Sequence, residues 1–181
     1  MADHIFEPEV RKSLDVLYWK DIPNIPPLAI ECKRTQAAYL PFANVQEHQI
    51  KELLRFELRG VAMKVAVPSA PGNVRRRFQL STGFDFLYCT RGLGYLLVNF
   101  RFTKKAPRKD ISKGTNRCFG VRANVYVDVV AKFREEGRAS VPYEWFVENA
   151  IECPRIRIED PDSGNHSYGW DLEPLVTNEM N

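Results

Sequence analysis

The sequence predicts an α/β or α+β fold in which a β-sheet is flanked by helices. Several short stretches are rich in β-branched and aromatic residues and are separated by turns containing proline or glycine, a pattern typical of strands. Between them, residues 44–58 carry apolar side chains at helical spacing. The length of 181 residues fits one domain, and 44% hydrophobic residues fit a globular protein with its own core.

The first half of the chain predicts a hairpin, a helix and a strand. Residues 14–22 (LDVLYWKDI) alternate and favour a strand, and a proline-rich turn leads to a second, antiparallel strand over 28–35. The helix over 44–58 starts with a capping-box-like Asn44 and Glu47 and ends at Gly60. A third strand is expected over 61–67, closed by the turn PSAPGN.

The second half predicts further strands and short helices. Residues 78–90 are ambiguous, with a short helix over 84–89 as one interpretation. Residues 95–102 and 121–133 favour strands joined by a basic loop. A short helix over 140–150 would carry Pro142 in its first turn, and 154–158 would form a last strand. We expect one domain over 1–158 and an acidic, loosely ordered tail over 159–181.

Basic residues are clustered, although the net charge is only +3. One cluster covers 75–77 (RRR) and a second extends from 101 to 122, whereas the tail is acidic. Such clusters are either solvated loops or a phosphate-binding surface, since a local patch can supply the field whatever the total charge. Both interpretations stay open at this point.

No apolar run approaches the length needed to span a bilayer, and MADHIFEPEV lacks the order of a signal peptide. The sequence therefore predicts a cytoplasmic protein without a membrane partner. The four cysteines are scattered singly without a CxxC pair. Reduced thiols are expected rather than a zinc site.

The segment LAIECKRTQ places two charges in an otherwise apolar strand. Glu31 and Lys33 would share one face with Ala29, and the predicted hairpin would bring Asp15 beside Glu31. Two converging carboxylates repel each other unless a cation such as Mg²⁺ neutralises them, and a nearby lysine can stabilise a phosphoryl transition state. The pattern thus predicts a phosphodiester-hydrolysing site. The alternative is an ordinary Glu–Lys pair on an exposed sheet face.

These residues carry a resemblance to a known family. Asp15, a hairpin and then LAIECK resembles the PD-(D/E)xK nuclease motif. Downstream, KRTQAAYLPFANVQEHQIKEL is similar to the RecU-type Holliday junction resolvases, with counterparts in Thr35, in the segment LPF and in His48-Gln49. The strand over 95–102, the pair GR before Ser140, and the late segment PRI follow the same order.

The resemblance implies a restriction-endonuclease-like core, that is, a central mixed β-sheet flanked by helices, with residues 68–94 as an insertion. It also implies a Mg²⁺-dependent endonuclease, with Mn²⁺ able to substitute, that cuts branched DNA as a homodimer. Asp15, Glu31 and the backbone carbonyl of Cys32 would hold the metal ion. Lys33 would be the catalytic base or stabiliser, and Gln49 would support the site.

Several of these roles have alternatives. The helix that opens the family fold carries a further acidic residue, for which Glu7 or Glu9 could substitute, Glu9 being slightly favoured. The alternative is a site with only one fully built metal position. Gln49 could instead be a solvent-facing helix residue, His48 is structural or close to DNA, and Thr35 is a phosphate contact or merely a good strand residue. The expected DNA contacts are Arg34, Thr35, His48, Arg75, Arg76, Arg77, Lys104, Lys105, Arg108, Lys109 and Lys113.

Two rival functions remain. One is a general or sequence-specific DNA nuclease with the same core, which would cut duplex as readily as junctions. The other is a non-catalytic DNA-binding relative. Retention of Asp15, Glu31 and Lys33 together argues against the second, because a binding module does not need two carboxylates held close together.

Overall fold

The computed structural model describes residues 6–19, 25–66, 85–102, 115–159 and 164–177. Its centre is a four-stranded mixed sheet. The strands, in order across the sheet, are β1 (Leu28–Thr35), β5 (Leu93–Arg101), β6 (Asn116–Arg122) and β8 (Ile151–Cys153). β1 runs parallel to β5, and the other two pairings are antiparallel.

Three antiparallel strand pairs and five helices complete the described part of the chain. The pairs are β2 (Tyr39–Pro41) with β7 (Ser140–Pro142), β3 (Val61–Ala66) with β4 (Asp85–Thr90), and β9 (Arg155–Glu159) with β10 (His166–Trp170). The helices are α1 (Phe6–Trp19), α2 (Glu47–Arg59), α3 (Ala123–Glu135), α4 (Tyr143–Asn149) and α5 (Glu173–Thr177). An α/β protein with a central mixed sheet packed against helices is therefore confirmed.

The central sheet is buried on both faces because side chains alternate along β5. Leu96, Val98 and Phe100 join one apolar cluster with residues of α2, α3 and α4. Tyr95 and Leu97 join a second cluster with residues of α1 and α5. Each face of the sheet thus has its own core, and the two ends of the described chain pack on the same face.

Residues 14–19 lie in helix α1, so the strand predicted over 14–22 is wrong for the part that the structure describes. Phe6, Val10, Ser13 and Leu17 are buried and repeat at helical spacing. Acidic residues occupy the first turn, where the helix dipole favours negative charge. The run LDVLYW satisfies both periods, and packing on the sheet selects the helical one.

The prediction for β1 is confirmed in its bounds but not in its pairing. The strand covers Leu28–Thr35 as expected. Its neighbour is β5, in parallel, with Glu31 opposite Leu96. The predicted antiparallel hairpin with the preceding segment is therefore wrong.

Helix α2 is confirmed, with a later start than predicted. It begins at Glu47 after Gln46, so the capping box expected from Asn44 and Glu47 does not form. Gln49 takes that role instead, since its Oε1 accepts a hydrogen bond of 3.0 Å from the Gln46 backbone N–H. Gly60 ends the helix with a φ of 73°, as the sequence predicts.

The strand predicted over 121–133 is wrong beyond residue 122, where helix α3 begins. The valines of this segment favour a strand by propensity. Tyr126, Val129 and Phe133 nevertheless recur at helical spacing and are buried. Burial of this stripe against the sheet outweighs the local preference.

The remaining elements divide between confirmation and correction. Strands are confirmed as β3, β5 and β9, whereas 84–89 contributes strand β4 and not a short helix. The helix predicted over 140–150 is confirmed as α4, preceded by β7, and Pro142 is its N-cap. The PSAPGN turn lies outside the described residues.

Residues 166–177 form β10 and α5, where the sequence predicts a loosely ordered tail. Trp170, Leu175 and Val176 are almost completely buried. The ring of Trp170 meets the ring of Phe6 edge-on at 6.2 Å between centroids. Within the described part of the chain, none of the helices is long and apolar enough to cross a membrane.

Candidate active site

Strand β1 has the two faces that its alternation predicts. Glu31 and Lys33 lie opposite Leu96 and Val98, whose side chains belong to the cluster formed with α2. Ile30 and Cys32 pack with the cluster on the α1 side. The two charges therefore stand next to each other on the α2 face of an outer strand of the central sheet.

The carboxylate of Glu31 has two partners. Lys33 Nζ lies 2.8 Å from Glu31 Oε1, and Gln49 Nε2 donates a hydrogen bond of 2.7 Å to the same oxygen. The side chains of Glu31 and Lys33 are 26% and 15% exposed. Glu31 Oε2 has no partner among the described residues. One carboxylate oxygen is thus fixed while the other keeps its capacity for a ligand.

Gln49 links this pair to the start of α2. Its amide oxygen accepts from the Gln46 backbone, while its amide nitrogen donates to Glu31. The carboxylate consequently lies near the N-terminus of α2, where the helix dipole favours negative charge. Of the two interpretations of Gln49, the structure supports the one in which it holds Glu31.

Asp15 is not brought to Glu31 in the way the sequence predicts. It lies in helix α1, and the hairpin that was expected to pair it with Glu31 does not exist. Its side chain lies outside the described part of the structure. The paired carboxylates on adjacent strands are therefore a wrong prediction.

Helix α1 also carries the two alternative acids, and the structure separates them. Both oxygens of Glu9 face arginines, Arg34 at 3.5 Å and Arg155 at 3.7 Å. Glu7 instead lines a cavity of about 280 Å³ between α1 and β1, together with Glu31 and Cys32. Glu9 is thus committed to two arginines, whereas Glu7 lies on the α1 side of β1, opposite the face on which the Glu31 carboxylate contacts Gln49.

The donor set can be compared with the needs of a magnesium ion. Among the described residues, no three histidine, cysteine, aspartate or glutamate side chains converge. Mg²⁺ needs only one or two carboxylates and keeps several waters. Glu31 offers one such carboxylate on the α2 face of β1, whereas Glu7 lines a cavity on the α1 side, so Glu7 is not a second donor at the Glu31 carboxylate in this structure. Cys32, whose backbone carbonyl is a predicted ligand, lines the cavity as well.

The predicted DNA contacts within the described chain have different environments. The side chain of Arg34 is only 5% exposed, and its Nε donates to Asn99 Oδ1 at 2.9 Å. The Thr35 hydroxyl donates to the Tyr39 carbonyl and accepts from the Ala37 N–H, which completes a turn. His48 is exposed on α2. Arg34 and Thr35 therefore serve the architecture of β1 in this structure, and His48 faces solvent.

The other predicted DNA contacts lie outside the described residues. They are Arg75, Arg76, Arg77, Lys104, Lys105, Arg108, Lys109 and Lys113.

Sequence reasoning missed Asn99, which organises the end of β1. It is completely buried in an otherwise apolar strand. Its Oδ1 accepts from Arg34, and its Nδ2 donates to Asn116 Oδ1 and to the Arg117 carbonyl. An asparagine within YLLVNFRF is the signal that could have identified it, because a buried amide needs partners on every side.

Cys32, Cys118 and Cys153 have free thiols, in agreement with the reduced thiols that the sequence predicts. Cys118 and Cys153 lie opposite each other on β6 and β8. Burial raises the pKa of the Cys153 thiol to about 12 and that of Cys118 well above its ordinary value. Buried, protonated thiols are poor nucleophiles, so neither cysteine competes with the Glu31 site as a catalytic group.

We find no match to this chain among models of protein families, curated proteins or solved structures. A function for the chain therefore has to be argued from its residues and their geometry.

Proposed function

We propose that the protein is a Mg²⁺-dependent endonuclease that hydrolyses phosphodiester bonds in branched DNA, with its catalytic centre at Glu31 and Lys33. One observation carries the proposal: a half-buried Glu–Lys pair on a single strand, with Gln49 fixing one carboxylate oxygen and the other oxygen uncommitted among the described residues. Mn²⁺ would substitute for Mg²⁺.

A purely structural role explains this pair poorly. Glu31 and Lys33 are two residues apart on β1, so their contact joins no two elements of the fold. Bringing both charges into a half-buried site costs desolvation free energy, which their attraction offsets only in part. A fold gains little stability from such a pair, whereas a hydrolytic site needs both charges.

Each residue has a definite role in this proposal. Glu31 would hold the metal ion, with Asp15 as the second acid that the resemblance implies. When bound, Mg²⁺ supplies charge neutralisation at the phosphate and a water of lowered pKa. Lys33 Nζ would stabilise negative charge that develops on the phosphoryl oxygens. Gln49 would keep the Glu31 carboxylate in one orientation.

The DNA partner follows from the resemblance and from the basic clusters at 75–77 and 101–122. Lysines and arginines that contact phosphates carry little sequence information, so binding should weaken steeply with salt. A homodimer with two symmetric sites in the cytoplasm would match the two strands that a junction presents for cleavage.

The test compares cleavage of a four-way junction with cleavage of a matched duplex in Mg²⁺. Glu31→Gln and Lys33→Met should each lower the rate at least about a hundredfold, because each removes a charge that acts in the transition state. The matched control is Glu52→Gln, an exposed carboxylate on α2 paired with Arg55, which should leave the rate unchanged. Full activity of either site variant would contradict the role of that residue.

The same panel separates the rival nuclease. Equal cleavage of junction and duplex by the wild-type protein would favour a general or sequence-specific DNA nuclease. Preference for the junction would support a resolvase-like activity.

A second candidate function is a non-catalytic DNA-binding protein. It is favoured by the position of Asp15 in a helix, because the argument from a complete catalytic set required Asp15 on a strand beside Glu31. Calorimetry with Mn²⁺ distinguishes the two functions: a nuclease should bind the ion and lose it in Glu31→Gln. Junction binding without ion binding and without cleavage would establish the non-catalytic alternative.

A further inference from the structure

A second cavity, remote from the residues of the proposed catalytic centre, lies between α2 and α3. It has a volume of about 410 Å³. Its walls are mainly apolar and include Val45, Ile50 and Leu54 on one side, with Tyr126 and Val130 on the other. None of its lining residues lines the cavity beside Glu31. Size and lining fall in the range of sites that bind small molecules.

Arg134 lies at the border of this cavity. The Arg134 guanidinium lies over the ring of Phe42, 5.5 Å from its centroid, and forms no ion pair with the described residues. Lys51, which also lines the cavity, is by contrast paired with Glu47 at 2.6 Å. Glu47 lines the same cavity and attracts Arg134 as well as Lys51, so the border holds two positive charges and one negative charge. This net positive charge next to an apolar cavity favours an anionic group.

The cavity wall also contains a polar group without a partner. Tyr126 is 4% exposed, and its hydroxyl makes no hydrogen bond within the described part of the chain. Burial raises the pKa of this hydroxyl, so it is a neutral donor. Buried hydroxyls are normally satisfied, so the unpaired hydroxyl of Tyr126 leaves a hydrogen-bond donor beside the cavity wall.

We propose that this cavity binds a small molecule with an apolar body and an anionic group. The body would lie against the valine, leucine and isoleucine side chains, and the anion would lie at Arg134. Charge complementarity selects the anion, and the volume limits the body to about the size of two or three aromatic rings. This site is independent of the nuclease proposal, because it shares no residue with it.

The test uses two fluorescent probes with similar bodies. Anilinonaphthalene sulfonate carries an anionic group, and phenylnaphthylamine is its neutral counterpart. Both should bind the wild-type protein with enhanced fluorescence, the sulfonate more tightly. Arg134→Gln should weaken binding of the sulfonate by roughly fivefold to tenfold, the scale of one charge-assisted contact, and leave the neutral probe unchanged.

The matched control for charge is Arg138→Gln. Arg138 also lies over an aromatic ring, that of Phe133 at 4.9 Å, but it is paired with Glu136 and does not line the cavity. This variant should change neither probe. Equal weakening by Arg134→Gln and Arg138→Gln would mean that net charge alone attracts the sulfonate, which would overturn the proposed anion position.

The second pair of variants tests the location. Ala131 is exposed and lines the cavity, so Ala131→Phe should fill it and abolish binding of both probes without disturbing the core. Val125→Phe, at a 40% exposed position of the same helix outside the lining, should have no effect. Unchanged probe binding in Ala131→Phe would refute the site. A change of sedimentation in Ala131→Phe, with no probe bound by the wild type, would show an interface between protein molecules instead.

Discussion

A glutamate carboxylate lies at each end of helix α2, and the two have different partners. Glu31 belongs to the neighbouring strand β1, and Glu57 belongs to the last turns of the helix itself. Near its start, Gln49 holds Glu31, whose other partner, Lys33, lies on the same strand. Near its end, Glu57 Oε1 accepts from the Gly94 backbone N–H at 2.8 Å and from Arg122 Nε at 2.9 Å. Glu57 thereby joins the helix to β5 and β6 through an arginine and a backbone N–H, whereas Glu31 is joined to the helix only through the neutral amide of Gln49.

The two carboxylates therefore differ in role: Glu57 connects elements of the fold, whereas Glu31 is held in place by its neighbours. Both side chains are mostly buried, at 15% exposure for Glu57 and 26% for Glu31. The partners of Glu57 are an arginine, whose guanidinium has a fixed geometry, and a backbone N–H, and such partners suit a stable contact between elements of the fold. Lysine is a flexible point charge, and a glutamine amide is neutral, so the Glu31 environment can exchange one partner for a ligand.

The largest effect that would test this difference is on stability. Glu57→Gln should lower the free energy of unfolding by about 2–3 kcal/mol, because it removes the charge that the Arg122 guanidinium contacts in a largely buried site. Glu31→Gln should cost about 1 kcal/mol or less, since the long Lys33 side chain on an outer strand can reach solvent. Urea unfolding monitored by fluorescence measures both. Equal losses would place Glu31 among the structural residues.

A second, smaller effect is expected when both partners are replaced. Glu31→Leu with Lys33→Met should change the free energy of unfolding by at most about 1 kcal/mol in either direction, because relief of desolvation offsets the lost attraction. Glu57→Leu with Arg122→Met should still cost about 1–2 kcal/mol, because the Gly94 N–H loses its acceptor. Urea midpoints at constant m-value provide the measurement. A large loss in the first double variant would contradict the distinction.

The smallest effect on the free energy of unfolding is expected for the surface ion pair between Arg117 and Glu152, with which the two more buried glutamates can be compared. The hydrogen bond from Arg117 to Glu152 lowers the pKa of that carboxyl below its ordinary value of about 4.3. The folded state therefore favours the charged form, so the stabilisation is present above the ordinary pKa and is lost as pH falls through the lowered value. With both side chains about a third exposed or more, it should amount to less than about 1 kcal/mol.

Glu152→Gln should accordingly lower the urea midpoint slightly at neutral pH, and the difference from the wild type should shrink as the pH falls through the lowered pKa of the Glu152 carboxyl. A difference between the two proteins that persists unchanged in acid would show that packing, and not the ion pair, is responsible.

The local sequence pattern was enough to predict the bounds and faces of β1 and the residue at which α2 ends. Alternation in LAIECKRT determines which side chains share a face, and a glycine at position 60 meets the need for positive φ. Helices α1 and α3 were missed because their valines, tyrosine and tryptophan favour strands by propensity, whereas burial of a helical stripe depends on a sheet that the local sequence does not reveal.

The same limit applies to the candidate site. Glu31 and Lys33 are neighbours on one strand, so their proximity follows from the sequence alone. The pairing of Asp15 with Glu31 required a correct topology, and it failed with the hairpin. Glu57 and Arg122 are 65 residues apart, and nothing in their local sequence indicates that they meet.

The hydrogen bond from the Trp170 backbone N–H to the Ser13 hydroxyl has a consequence for folding. It measures 2.7 Å and joins residues 157 positions apart, and the Phe6 and Trp170 rings pack beside it. Closing so long a loop has a large entropic cost, which is offset only when the sheet between its ends exists. The layer of α1 and β10 should therefore form late and open before the sheet does, so the Trp170 backbone amide should exchange with solvent deuterium faster than the backbone amides of β5.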